Sequence, residues 1–452
     1  MNKKFTTLAA AIALFASCFT LAAVSPEEAI KLKGNLTPLG AEKAGNDDGS
    51  IPGWSGGLTA AAVADADAQP RANYFANDQI KYVVNKDNVQ DYKGQLSDGI
   101  QALINKYPDT FYLNVHETRR TAAAPDWVYA NTYENAVQTV ATDNGNSIEK
   151  AYGGIPFPIP QTGAEVMWNH LLRWRGESVE LPFRVWVGSS DGSMTLAVAA
   201  QDDHQFPYYY KDGSKDSFNG EAFLLRQVQT EPAFKSGESI LIRDPLDQIK
   251  EGRKAWQYLA GQRRVRRAPT IAFDTPDFVA SGQNYFDEVF MFFGSLERYD
   301  WQLVGKQEML IPYNNNAFLG KKTDEVLAGH HLSSEHLRWE KHRVWVVDAT
   351  LASGKRHVVP KKRFYIDEDS WSVVLVDGYD ANGKLWRVQH AVPFVAPEIP
   401  AVVSTTFTVF NLPANTWMVN NLYNDQKVQY RAVPRRPDMY FTPDALAGSG
   451  VR

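Results

Sequence analysis

Arg338–Phe394 decides the fold. It reads RWEKHRVWVVDATL (338–351), KRHVVPKKRFYIDED (355–369) and SWSVVLVDGYDANGKLWRVQHAVPF (370–394). Each run is rich in Val, Tyr, Trp and Phe, residues that suit a pleated, half-buried surface. Turn signals separate the runs at Ala352–Lys355, Asp367–Ser370 and Asp380–Gly383. Such short connections cannot hold crossover helices, so the strands must be antiparallel neighbours in a meander. Val344 and Val346 share one face and Arg343, Trp345 and Val347 the other. Both faces are partly apolar, so one needs cover and the other has room for an apolar guest.

Working outward, strands are expected at Val179–Val187, Met194–Gln201, Asp203–Tyr210, 221–230 and 238–243. Three more follow at Thr405–Leu412, Thr416–Leu422 and Lys427–Arg431. This hairpin spacing predicts a mainly β protein with helices, an α+β fold built on one large continuous antiparallel sheet. Thr162 is a helix cap, with Glu165 completing a capping box, and the helix behind it carries Val166, Met167, His170, Leu171 and Trp174. His170 is read as packed or hydrogen bonded. Residues 24–150 are expected to form an N-terminal arm and a mixed helical segment laid on the body, which spans 151–452. Ser25 caps the first helix, and Ile51 and Trp54 pin the arm. Leu96, Ile100, Leu103 and Ile104 mark a helix within Val89–Tyr107.

The chain has 452 residues, 44% of them hydrophobic and 22% charged, with a formal net charge of -5. That is enough for a large core, and the charge balance argues against nucleic acid as a partner. Lys3 and Lys4 precede an apolar segment, Leu8–Leu21, and Ala22-Ala23 offers a cleavage site. This pattern predicts an exported, periplasmic protein with a signal peptide over residues 1–23. Cys18, the one cysteine, lies in that leader. Cleavage near Ala23 leaves a mature chain without a thiol; lipidation of Cys18 is the alternative, and either way membrane contact is peripheral at most.

No chemistry-bearing motif stands out. Gly-x-Ser-x-Gly, phosphate-loop and dinucleotide glycine patterns are absent. Four histidines, His330, His331, His336 and His342, cluster in GHHLSSEHLRWEKHRVW, but not at the spacing of a helical zinc motif, and they are read as solvated. His336 and Glu340 are placed one helical turn apart. His116, Arg119 and Arg120 are read as solvated too, and Asn46-Asp47-Asp48 as a turn rather than a calcium loop. No catalytic residue, metal ligand or cofactor is therefore expected.

Two surfaces remain. One is apolar: Trp345, Val347, Phe364, Tyr365, Trp371 and Trp386, joined by Phe286, Phe290, Met291 and Phe293 from a segment read as a lid helix and strand. The other is basic: Arg263, Arg264, Arg266 and Arg267. It suits a charged face packed within the protein, an anionic head group, or a protein partner.

GNDDGSIPGWSGG (45–57), KAWQYLAGQRRVRRAP (254–269), LRWEKHRVWVVDATL (337–351) and RFYIDEDSW (363–371) together resemble the exported bacterial family called domain of unknown function 1329. The resemblance covers nearly the whole mature chain. It implies a large relative of the periplasmic lipoprotein-sorting fold, a curved antiparallel half-barrel sheet wrapped around helices. It also implies a carrier or adaptor for a hydrophobic, lipid-like compound, working with an inner-membrane exporter of the resistance-nodulation-division type and an outer-membrane barrel protein. A non-enzymatic structural or interaction protein of the envelope is the alternative.

Overall fold

A computed structural model describes residues 23–268 and 271–449. Residues 1–22, with Cys18 and nearly all of the expected leader, lie outside the described residues. The strands are β1 (Ile80–Val84), β2 (Leu113–His116), β3 (Val140–Thr142), β4 (Ser147–Glu149), β5 (Ser178–Gly188), β6 (Met194–Gln205) and β7 (Glu221–Glu231). They continue with β8 (Ser239–Pro245), β9 (Lys254–Leu259), β10 (Arg264–Arg267), β11 (Tyr299–Pro312), β12 (Arg338–Leu351), β13 (Lys361–Asp367) and β14 (Val373–Tyr379). The last are β15 (Leu385–Ala391), β16 (Phe394–Ala396), β17 (Ala401–Val403), β18 (Phe407–Asn411), β19 (Thr416–Leu422) and β20 (Arg431–Ala432).

Sixteen of these strands form one open sheet in the order β1-β2-β12-β13-β14-β15-β18-β19-β5-β6-β7-β8-β9-β10, with β11 on β12 and β20 on β5. The meander from β12 to β15 is the one read from Arg338–Phe394. The sheet is not wholly antiparallel. Arg338 and Trp339 open β12 parallel to β2, opposite Asn114 and Val115. Two strands from the first 150 residues thus belong to the sheet itself.

Helices α1 (Pro26–Ala29), α2 (Asp98–Lys106), α3 (Asp126–Gln138) and α4 (Gly163–Leu171) pack around this frame. Ser25 caps α1 and Ser97 caps α2, each accepting from a backbone N–H three residues on. α2 is shorter than the expected Val89–Tyr107, because its cap sits at Ser97. Thr162 caps α4 as expected, but Glu165 reaches past it and accepts from Gln161 N at 2.6 Å. The arm is pinned as expected: Ile51 is buried and Trp54 Nε1 donates to Ala122 O. Gly40 has φ +104°, and a Cβ there would collide with the Pro158 carbonyl, so the arm lies flush on the proline-rich loop.

Two elements differ from expectation. β6 runs unbroken to Gln205, and Pro207–Tyr209 is a tight 3-10 turn rather than a third strand, since Pro207 cannot donate to a ladder. Phe286–Met291 is not a lid helix. It is a 3-10 turn broken at Val289 and Phe290, with Phe290 and Met291 at φ +54° and +73°.

The sheet's two faces carry different cover. Val347 lies opposite Phe364, which lies opposite Val376; Tyr365 lies between Val346 and Leu375 on the other face. On the Tyr365 face, Asp377 accepts from Ser97 Oγ, Gly99 N and Tyr365 Oη, which seats the start of α2 on β14. The Phe364 face is covered by the 285–294 segment, where the Phe292 ring lies edge-on to Phe364 at 5.7 Å.

Candidate functional site

The 285–294 segment has two acidic anchors. Asp287 Oδ2 accepts from Lys362 Nζ at 2.9 Å and His357 Nε2 at 2.8 Å. Glu288 receives both arms of Arg387 at 2.6 Å. All of these groups are buried. Burial pushes the Asp287 carboxyl up, but the Lys362 ammonium and His357 outweigh it and hold it well below the carboxylate range. His170 ties the far end of the segment. Its Nε2 donates to Phe292 O at 3.2 Å, and its Nδ1 accepts from Val373 N at 3.0 Å. Burial, with Arg173 and Arg175 nearby, keeps this imidazole well below its ordinary pKa and therefore neutral.

With its backbone fixed this way, the segment drives Phe290 and Phe293 between two cavities. One, of about 50 Å³, is bounded by Phe183, Leu225, Ile240, Ile242, Phe286 and Val289. The other, of about 40 Å³, is bounded by Trp168, Leu172, Arg173, Arg175, Phe223 and Phe292. Phe290 and Phe293 line both. Asp277 faces the first cavity, where burial pushes its carboxyl up to about 6.

The ten side chains expected around a ligand are therefore not gathered in one chamber. Phe286, Phe290 and Phe293 line the cavities, and Met291 is buried in the same segment. Val347 and Phe364 lie on the sheet face behind it. Tyr365 points to the opposite face, as strand alternation requires. Trp345 stacks on Trp371 at 6.3 Å, and Trp371 Nε1 donates to Leu39 O, so this pair seals the arm. Trp386 donates to Asn411 Oδ1 from β15. The strand residues Phe183, Phe223, Leu225, Ile240 and Ile242 were missed, though their alternation in β5, β7 and β8 marks one apolar face.

A second, polar site lies under the turn Asp367–Ser370. The turn expected there forms, and all four of its residues are buried. Arg120, also expected in solvent, grips both oxygens of Asp369 at 2.7 and 2.8 Å. Glu340 takes Arg338 Nε at 2.5 Å and His342 Nε2 at 2.9 Å. Glu340 sits on a strand, so its partner is His342 two residues on and not His336. His331 is buried as well. Burial lowers the His342 pKa, but Glu340 outweighs it and the net shift is upward. His342, Asp367 and Asp369 bring donor atoms within 4.8 Å of one another. Arg120 occupies both Asp369 oxygens, so this set fits an internal ion-pair network better than a metal.

The basic run forms β10, the last strand of the sheet, with Arg264, Arg266 and Arg267 exposed. Arg263 closes the preceding turn at φ +50°. Among the described residues no helix is long and apolar enough to cross a membrane.

A mainly β protein with an open sheet of sixteen strands and an apolar segment buried against it is thus the class that the fold and site define. The chain belongs to the family described as protein of unknown function DUF1329, whose model matches residues 83–447. An uncharacterized protein of Pseudomonas aeruginosa, PA3922, is 39% identical over 436 residues, 96% of this chain and 95% of the relative. Among solved structures, a DUF1329 family protein from Desulfovibrio piger matches 60% of this chain and 92% of its own at 14% identity and a TM-score of 0.41. A putative outer membrane lipoprotein-sorting protein domain from Vibrio parahaemolyticus matches 63% and 98% at 12% identity and a TM-score of 0.42. A LolA superfamily protein from Nitrosomonas europaea matches 63% and 100% at 14% identity and a TM-score of 0.38.

Proposed function

We propose that this protein is a periplasmic carrier or adaptor that binds a hydrophobic, lipid-like ligand between the 285–294 segment and strands β5–β8. The observation that carries the reading is the pair of cavities, about 50 and 40 Å³, that share Phe290 and Phe293 as lining residues. Ligand pockets commonly measure about 300–1,000 Å³. The ligand therefore enters by displacing the segment, and the closed form is the empty one. Left-handed backbone at Phe290 and Met291, of the kind that costs about 1–3 kcal/mol per residue, makes that displacement accessible. The basic edge β10 is the face offered to an exporter, an outer-membrane barrel or anionic head groups.

Protein purified from the periplasm is extracted with organic solvent and the extract analysed by mass spectrometry, alongside uptake of a fluorescent apolar probe. An apolar compound is expected in the extract, and Phe290→Ala, which joins the cavities, is expected to raise probe uptake. Protein that neither carries nor takes up any apolar compound sinks the reading. An interaction protein with a filled interior is then the better account, favoured by the tight closure of the segment over the sheet.

A further inference from the structure

Arg173 and Arg175 are buried, 3% and 9% exposed, in the stretch that leaves α4, and both line the 40 Å³ cavity. Trp174 between them turns the other way, donating to Ile399 O at 2.7 Å. Arg173 Nη1 donates to His170 O at 2.5 Å, and Arg175 Nη2 lies 3.4 Å from Leu171 O. The Arg175 guanidinium also sits 4.6 Å from the Phe206 ring centre. Arg173 Nη2 and Arg175 Nε are buried without a hydrogen-bond partner.

Among the described residues, neither guanidinium has a carboxylate partner. Arg120, Arg338 and Arg387 are buried too, and each is paired with an acid. Asp244, which also lines this cavity, is taken by Arg253 at 2.7 Å through both oxygens. Burial, and for Arg173 the neighbouring Arg175, push both groups below the ordinary arginine range. Arginine nevertheless keeps its proton in proteins, so the site holds two desolvated cations and lacks an anion. Burying an unpaired cation is costly, and a bound anion removes much of that cost. The rest of the lining is largely apolar and includes the rings of Phe223, Phe290 and Phe293.

We propose that Arg173 and Arg175 bind the anionic head of an amphiphile, a carboxylate or phosphate, while its apolar tail lies along Phe223, Phe290 and Phe293. The inference rests on the carrier reading and deepens it by naming the ligand class. It also gives the head a fixed end of the chamber, so that the tail runs toward the second cavity past Phe290.

The test is binding of decanoate, decanol, decyltrimethylammonium and inorganic phosphate to the whole mature chain, by calorimetry below micelle-forming concentrations. Decanoate is expected to bind at least about tenfold tighter than decanol, a difference of about 1.4 kcal/mol. That preference should vanish in Arg173→Met and Arg175→Met and persist in Arg175→Lys. Without ligand, both Met variants should melt no lower than the parent, because an apolar side chain replaces an unpaired buried cation. A lower melting temperature in both, with the decanoate preference intact, makes the arginines structural and overturns the proposal. Equal binding of decanol and decanoate overturns the subsite and leaves the carrier reading standing. Failure of every decyl probe removes the carrier reading itself and this proposal with it. Phosphate binding as tightly as decanoate assigns the site to a small free anion and overturns the amphiphile.

Discussion

Lys362 Nζ lies 2.9 Å from Asp287 Oδ2, both side chains almost fully buried, and this contact fastens the apolar segment to β13. His357 adds a second bond to the same oxygen at 2.8 Å. Removing one partner of a buried pair leaves the other charge stranded, at about 3–5 kcal/mol. Lys362→Met is expected to lose about that much stability in urea unfolding and to speed proteolysis within 285–294. The double variant Lys362→Met, Asp287→Asn should recover much of the loss, since it leaves no orphan charge. Equal stability of the single variant and the parent would show that the pair does not hold the segment.

Arg120 does for the arm what Lys362 does for the segment. Its guanidinium pairs with Asp369 and also donates to Glu42 O at 2.7 Å, with Pro52 O at 3.3 Å. One side chain thus joins β2's exit, the arm and the β13–β14 turn. Arg120→Met is expected to cost about 3–5 kcal/mol. Limited proteolysis should then cut first within residues 36–54. Global destabilisation with the arm still protected would place the clamp elsewhere.

What was legible in the sequence follows from periodicity. Trp345, Val347 and Phe364 declare their sheet by β-branched and aromatic runs between clear turns, and the meander from β12 to β15 is the result. Thr162 and Ser25 declare their caps because capping is a contact over three residues. The buried charges were illegible for the opposite reason. Arg120 meets Asp369 across 249 positions and Asp287 meets Lys362 across 75, and nothing local distinguishes such a residue from a solvated one. Phe290 misled differently. Its apolar neighbours suggest a helix, but Asp287 and Glu288 are drawn down to Lys362 and Arg387, and the backbone bends to satisfy them. Arg173 and Arg175 did carry a signal, two arginines flanking Trp174 at a spacing of two, that a hydrophobicity reading passes over.

Buried acids set the pH dependence. Burial pushes Asp377 up to about 7, against the pull of its bond from Ser97, and Asp277 up to about 6. The folded chain therefore holds these protons more tightly than the unfolded chain, where a carboxyl titrates near its ordinary value of about 3.9. Their contribution is full below pH about 4 and is lost as pH rises through about 6 to 7. His342, whose pKa is also raised in the fold, acts in the same direction at higher pH. Asp377→Asn keeps an acceptor for Gly99 N and removes the titration. It is expected to gain a few kcal/mol over the parent at pH 8 and almost nothing at pH 4, measured by urea unfolding. A difference independent of pH would contradict the raised Asp377.

The exposed arginines of β10 offer two explanations that one experiment separates. An edge strand needs charge to discourage pairing with another chain, and either sign of charge serves that purpose. Docking to anionic head groups needs positive charge only. Arg264→Glu with Arg267→Glu keeps a charged edge while reversing its sign. Both residues are exposed, and surface substitutions of this kind usually change stability by about 0.5 kcal/mol or less. Unchanged melting and solubility are therefore expected, together with loss of binding to phosphatidylglycerol vesicles at low salt, where unscreened charge acts over its longest range. Vesicle binding that survives the reversal would leave edge protection as the role of these three arginines, and the membrane or partner face would have to be sought on another surface of the sheet.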